Sequence, residues 1–170
     1  MIEKLEIKDF DTVYDLMERS FPKEEYRPYP AQRALLGDPA YSIYVAREGN
    51  RIVGFAAVWE LETILFLEHL AVEPDCRNGG IGTKILQYFA NKRTCLEVEP
   101  PESSLTRRRI GFYERNGFFL NDYPYMQPSL GRGRSPVPLY LMTSGGTVTP
   151  EEFARVKKLL YSWVYGQTEE

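Results

Sequence analysis

Leu67-Glu-His-Leu-Ala-Val-Glu-Pro-Asp-Cys-Arg-Asn-Gly-Gly-Ile-Gly-Thr-Lys-Ile-Leu86 is the stretch whose reading decides the fold. It opens as an apolar run and must turn at Pro74, which has no backbone N–H and cannot continue a central strand. Gly79, Gly80 and Gly82 then remove side chains where the spacing of Ile81, Ile85, Leu86 and Phe89 predicts a helix. Bare N–H groups at the positive end of a helix dipole favour an anion, and Arg77 and Lys84 add full charges beside them. One alternative is a flexible turn with incidental glycines. Glycines at three places between a strand and an amphipathic helix, flanked by basic residues, favour a phosphate site instead.

Working outward, Thr63 to Val72 is nearly all apolar apart from Glu68 and His69, as expected of a strand in the middle of a sheet. Tyr41 to Ala46 and Arg51 to Trp59 read as a hairpin about Glu48-Gly49-Asn50. Upstream, Ile2, Leu5 and Ile7 make an opening strand, and Asp9 or Asp11 can cap a helix with the stripe Val13, Leu16 and Met17. The polar, proline-rich run from Lys23 to Pro30 is either a substrate lip or a plain connector to a short helix, Ala31 to Leu36. Downstream come a strand at Thr94 to Val98, a helix from Ser103 or Ser104 to Asn116, and strands at Phe118 to Tyr125 and Val137 to Met142. Thr149-Pro150-Glu151-Glu152 opens a last amphipathic helix, expected to pack on the body or a partner subunit rather than to do chemistry. The order implies an α/β fold with a mixed sheet and helices on both faces.

A chain of 170 residues suits one domain. We expect that domain over residues 1–143, with a linker and the final helix over 144–170. A net charge of −3 argues against general affinity for nucleic acid. No apolar run is long enough to span a membrane, and the first residues lack a signal-peptide core. Cys76 and Cys95 make neither a disulfide framework nor a metal site, so a reduced, cytoplasmic protein without metal is expected.

Two motifs resemble the GCN5-related N-acetyltransferase (GNAT) superfamily. Arg77-Asn78-Gly79-Gly80-Ile81-Gly82 is similar to its pyrophosphate loop, Arg/Gln-x-x-Gly-x-Gly/Ala, directly after Leu70-Ala71-Val72. Ile110-Gly111-Phe112-Tyr113-Glu114-Arg115-Asn116-Gly117-Phe118 is similar to the second signature, a helix with a tyrosine four residues before Gly-Phe. Two positions depart from the pattern: Thr106 stands where many relatives have Asn, and Arg109 where they have Ala. A dinucleotide fingerprint fails because Ile85 stands at its third glycine, and a P-loop fails because Lys84 follows Thr83.

The resemblance implies a mostly antiparallel sheet that splays open at the site, with acetyl-coenzyme A or another acyl-coenzyme A as donor. Its pyrophosphate would lie on the N–H groups of Arg77, Asn78, Gly79, Gly80, Ile81, Gly82 and Thr83, with Lys84 adjacent. Its pantetheine would pair with Leu70, Ala71 and Val72, with Thr106 offering a hydroxyl and Arg115 reaching the phosphates. Tyr113 is the expected general acid at the sulfur. For the base, period-two alternation places Glu68 on the face of Leu70 and Val72 and His69 on the opposite face. Glu68 is therefore the first candidate and Glu97 the second; Glu99 shares the face of Glu97. Arg107, Arg108 and Arg109 fan around a helix and read as a solvated surface. Cys76 lies beside Arg77, a neighbour that would lower its pKa, although direct transfer without a covalent enzyme intermediate is expected. The acceptor would be a primary amine of a small molecule or peptide, and a homodimer remains open. The competing readings are an acyl-coenzyme A-binding regulatory module without turnover and an interaction domain recruited through the last helix.

Overall fold

The computed structural model describes residues 1–167. In chain order it contains β1 (Ile2–Lys4), α1 (Phe10–Ser20), α2 (Tyr29–Ala34), β2 (Tyr41–Glu48), β3 (Arg51–Glu60) and β4 (Leu65–Val72). There follow α3 (Ile81–Tyr88), β5 (Thr94–Val98), α4 (Ser104–Arg115), β6 (Phe118–Gln127), β7 (Val137–Ser144) and α5 (Pro150–Leu159). This is the order of elements expected from the sequence. Small differences have local causes. Ile7 belongs to a short 3-10 turn, not the first strand. Asp9 sits at the N-cap of α1 without capping it, because its carboxylate accepts from Arg47 Nη2 at 2.8 Å, and Asp11 lies inside the helix. Helix α2 starts at Tyr29, before the expected Ala31, because Pro30 falls in the first turn where its missing N–H costs nothing.

The strands form one 7-stranded sheet in the order β1-β2-β3-β4-β5-β7-β6. All neighbours are antiparallel except β4 and β5. Side chains alternate along β3 from Phe55 onward: Phe55, Ala57 and Trp59 join a core with α1 and α5, whereas Ala56 and Val58 join one with α3 and α4, where Val53, an extra residue at a register shift against β2, also packs. On the first face Phe153, Val156, Leu160 and Val164 are buried in the same core as the α1 side chains, and Phe153 meets the rings of Tyr123 and Tyr125 on β6, so α5 packs on the body. Val148 N–H donates to Asn121 Oδ1 at 2.8 Å and ties the connection before α5 to β6.

One irregularity positions the site. Parallel strands β4 and β5 pair only over Leu65–Leu67 and Thr94–Leu96. Beyond Leu67, β4 keeps β3 on one side and, among the described residues, has no strand on the other.

Candidate active site

A bulge shapes the wedge between β4 and β5. Ala57 pairs with His69 and Val58 with Leu67, which leaves Glu68 as an extra residue in the ladder. Strict alternation therefore fails here. Leu65, Leu67, Leu70 and Val72 pack toward α3 and α4, while Phe66 and Ala71 pack toward α1 and α5. Glu68 does not share the face of Leu70 and Val72, as expected from period two; it reaches Trp59 on the α1 face, and His69 meets Phe21 there too. The two consecutive residues thus serve one side of the sheet.

Glu68 is fully engaged. Its carboxylate accepts from Arg27 Nη1 at 3.0 and 3.2 Å and from Trp59 Nε1 at 2.9 Å. Its side chain is 2% exposed although the residue as a whole is not buried, so the remaining exposure belongs to the main chain, as a splayed strand requires. Burial alone would raise this carboxyl, but the charge of Arg27 and the hydrogen bonds from Arg27 and Trp59 hold it below the ordinary carboxylate range. Arg27 is itself locked: its N–H donates to Gln32 Oε1 at 3.0 Å, and its carbonyl accepts from Tyr14 at 2.8 Å. A carboxylate so paired is a poor proton acceptor near neutrality.

Glu97, on β5, is the opposite case. It accepts from Tyr125 at 2.5 Å and from Tyr165, whose hydroxyl lies 2.8 Å from each carboxylate oxygen. No ion pair reaches it among the described residues. Burial pushes its carboxyl up to about 7, partly offset by the two phenol donors. Glu97 follows directly on the last paired residue of β5, Leu96, and so stands where β4 and β5 part. A carboxylate that titrates near neutral pH in a partly dry cleft has the properties of a general base.

The Lys23–Glu25 turn covers the wedge. His69 is neutral, because burial lowers its pKa, and its Nε2–H donates to Glu25 O at 2.7 Å while Nδ1 has no hydrogen-bond partner among the described residues. Gln127 Nε2 donates to Glu24 O at 2.9 Å, and Arg134 Nε to Tyr26 O at 2.7 Å. The Glu25 carboxyl is pushed up to about 8 by burial and by Glu99 beside it. Arg109 Nη1 stands 3.9 Å from Glu99, and Arg107 and Arg108 are exposed as expected.

On the other face, the glycine loop leads into α3. Asn78 and Gly80 adopt left-handed conformations, with φ of 68° and 82°, which turn the chain sharply before the helix. A Cβ on Gly82 would lie 3.0 Å from Phe112 Cζ, so α3 and α4 approach where a side chain would intrude. Ile81 is buried in that core, while Thr83 and Lys84 remain accessible. Arg77 Nε donates to Val72 O at 3.3 Å and ties loop to strand. Cys76 departs from expectation: burial and Asp75 raise its pKa, and the nearby cation is Arg51 at 3.7 Å.

Tyr113 projects from α4 between the rings of Phe112 and Phe118, at 5.2 and 5.8 Å. Burial pushes its phenol up to about 12, so it keeps its proton throughout the neutral range. Thr106 is spent elsewhere: its hydroxyl accepts from Ser103 N–H at 3.1 Å in a reciprocal capping box. That hydroxyl is not free to serve a pantetheine arm. Arg115 Nη1 folds back over Gly111.

Arg27, Trp59, Tyr125 and Tyr165 belong to the wedge and were not expected from the sequence. Among them only Arg27 lay in the expected lip, and a cation surrounded by tyrosines and prolines was its only signal.

Three kinds of comparison agree. The sequence profile of the "Acetyltransferase (GNAT) domain" matches residues 39–119. The Bacillus subtilis protein YjbC is 29% identical over 163 residues, 92% of this chain and 83% of that one. The uncharacterised N-acetyltransferase MJ1530 of Methanocaldococcus jannaschii is 32% identical over 129 residues, 69% of this chain and 77% of that one. A GNAT-family structure from Bacteroides thetaiotaomicron superposes with a TM-score of 0.89 at 28% identity, covering 99% of each chain. An aminoglycoside 6′-N-acetyltransferase solved with coenzyme A shares the fold, with a TM-score of 0.63 at 18% identity over 85% of this chain and 96% of that one.

Proposed function

Since the chain belongs to the GNAT acetyltransferase family, we propose that it acetylates a primary amine directly from acetyl-coenzyme A, with Glu97 as the base. The observation that carries this reading is the Glu97 carboxyl, poised at about 7 in the wedge where β4 and β5 part.

The residues present suit coenzyme A. The left-handed turn at Asn78 and Gly80 and the bare Gly82 make a cradle that side chains would fill. N–H groups from Arg77 to Thr83 would hold a pyrophosphate at the start of α3. The open edge of β4 at Leu70, Ala71 and Val72 would accept an extended amide chain as an added strand. Bound there, the donor supplies an activated thioester carbonyl.

In this reading Glu97 takes a proton from the incoming ammonium and frees its lone pair. A main-chain N–H near Leu70 steadies the charge on the carbonyl oxygen. Tyr113, neutral at working pH, gives a hydrogen bond and then a proton to the departing sulfur as the new C–N bond replaces the C–S bond, and the second proton shed by the nitrogen, passed through solvent, restores the phenol. Glu68 holds Arg27 and shapes the wall, without exchanging protons. A screen of amines for thiol release tests the activity. With any amine found, Glu97→Gln should lower kcat about 10²-fold or more while coenzyme A affinity stays within about twofold. Turnover undiminished in that variant would remove Glu97 from the chemistry.

A further inference from the structure

Past α5 the helix widens. Residues Leu160–Val164 form a π-helical turn, and Tyr165 N–H donates to Leu160 O, five residues back, at 3.2 Å. Such turns hold one residue more than an α-helix would and rotate whatever follows by about 100°. Here the rotated residue is Tyr165, whose hydroxyl lies 2.8 Å from both oxygens of Glu97, 68 residues earlier in the chain. The turn is also pinned: Arg27 Nη2 donates to Val164 O at 3.3 Å, so one guanidinium serves Glu68 and the tail together.

The two glutamates of the wedge show what this contact does. Glu68 is met by a cation, which holds its carboxyl down. Glu97 is met by two neutral phenols, which give hydrogen bonds without a countercharge. A full ion pair would leave Glu97 too weak a base, and an apolar wall would leave it protonated. A tyrosine that served packing alone would need no hydroxyl at this point.

We infer that the C-terminal turn is part of the catalytic wedge, with Tyr165 a positioning residue whose hydroxyl aims and anchors the Glu97 carboxylate for proton transfer from the acceptor amine. The inference rests on Glu97 being the base. The charged and titratable groups facing Glu97 are Tyr125 from β6, Tyr165 from the tail, Glu68 from β4, Arg27 and Glu25 from the segment before α2, and Cys95 on β5. Of these, Tyr125 and Tyr165 touch its carboxylate directly.

The test is Tyr165→Phe, with two independent readouts. In carbon-13 NMR titration, with Glu97 identified by comparison with Glu97→Gln, losing one donor to the carboxylate should raise its midpoint by about one pH unit. The acidic limb of kcat/KM should move with it, so that the rate falls about tenfold at pH 6 and stays within about twofold at pH 9. A fluorinated tyrosine at 165, a stronger donor of the same shape, should move both the other way, and it serves alone if Tyr165→Phe does not fold. A midpoint that stays in place in the folded variants overturns the inference, whatever becomes of acetyl transfer. So does a uniform loss of rate at every pH with a lowered Tm. A midpoint that moves while the rate limb stays would instead show that Glu97 is not the base, and Tyr165 would lose its part in the reaction with it.

Discussion

Glu97 titrates near neutrality because its surroundings offer hydrogen bonds but little water, and that setting affects folding as well as chemistry. Its folded pKa of about 7 lies above the ordinary 4.5. The folded chain therefore holds a proton that the unfolded chain releases, and the Glu97 contribution to stability is complete below pH 4.5 and lost as pH rises through 7. Glu68 and His69 are both depressed and work the other way: their contributions are present above their ordinary values and lost as the pH falls. Glu97→Gln should accordingly be more stable than the wild type at pH 8, by at least about 1 kcal/mol or about 2–4 °C in Tm, with no gain at pH 4. Melting curves at the two pH values check this, and a variant less stable at pH 8 would contradict it. At this scale the sequence was legible in part. Tyr113 and the glycines could be named as candidates from local motifs, and Glu97 as the second candidate base from the family resemblance. Arg27 and Tyr165 could not, because their meaning comes from contacts 41 and 68 residues away in the chain.

Element α3 begins in a loop that can be tested apart from the chemistry. Gly82→Ala would add helix propensity worth about 1 kcal/mol while setting a methyl 3.0 Å from Phe112 Cζ. The two effects oppose each other, so stability should change by less than about 1 kcal/mol, while the crowded cradle should weaken coenzyme A binding about tenfold. Calorimetric titration beside a denaturation curve separates the two, and unchanged binding would mean that the cradle does not hold the donor. Elements as such were largely readable, because the apolar spacing of Ile81, Ile85, Leu86 and Phe89 needs no tertiary information. The face assignment in β4 failed at one point, Glu68, where an extra residue in the ladder breaks the alternation on which such assignments depend. Thr106 misled for a related reason: Ser103, three residues earlier, claims its hydroxyl as a cap.

Across the whole molecule, α5 belongs to the body. Phe153, Val156, Leu160 and Val164 are all buried in the core shared with α1 and β3. At about 1.5–3 kcal/mol each, their burial contributes about 6–12 kcal/mol, comparable to the whole net stability of an ordinary domain. A chain ending at residue 148 should therefore fail to fold, as seen by lost helical circular dichroism and lost coenzyme A binding. A truncated chain that still bound coenzyme A would make the tail a dispensable appendage. The amphipathic stripe of this helix was plain in the sequence, but a stripe does not say what it packs against. Two small departures from regular periodicity decide the site. One additional residue in β4 and one in the turn after α5 each shift the phase of a repeating backbone, and each shift turns a polar side chain toward the same point between the strands. Deleting a single residue within 160–164 should leave the apolar stripe of α5 in register and swing Tyr165 away from Glu97. The geometry of the wedge therefore depends on the residue count as well as on residue identity.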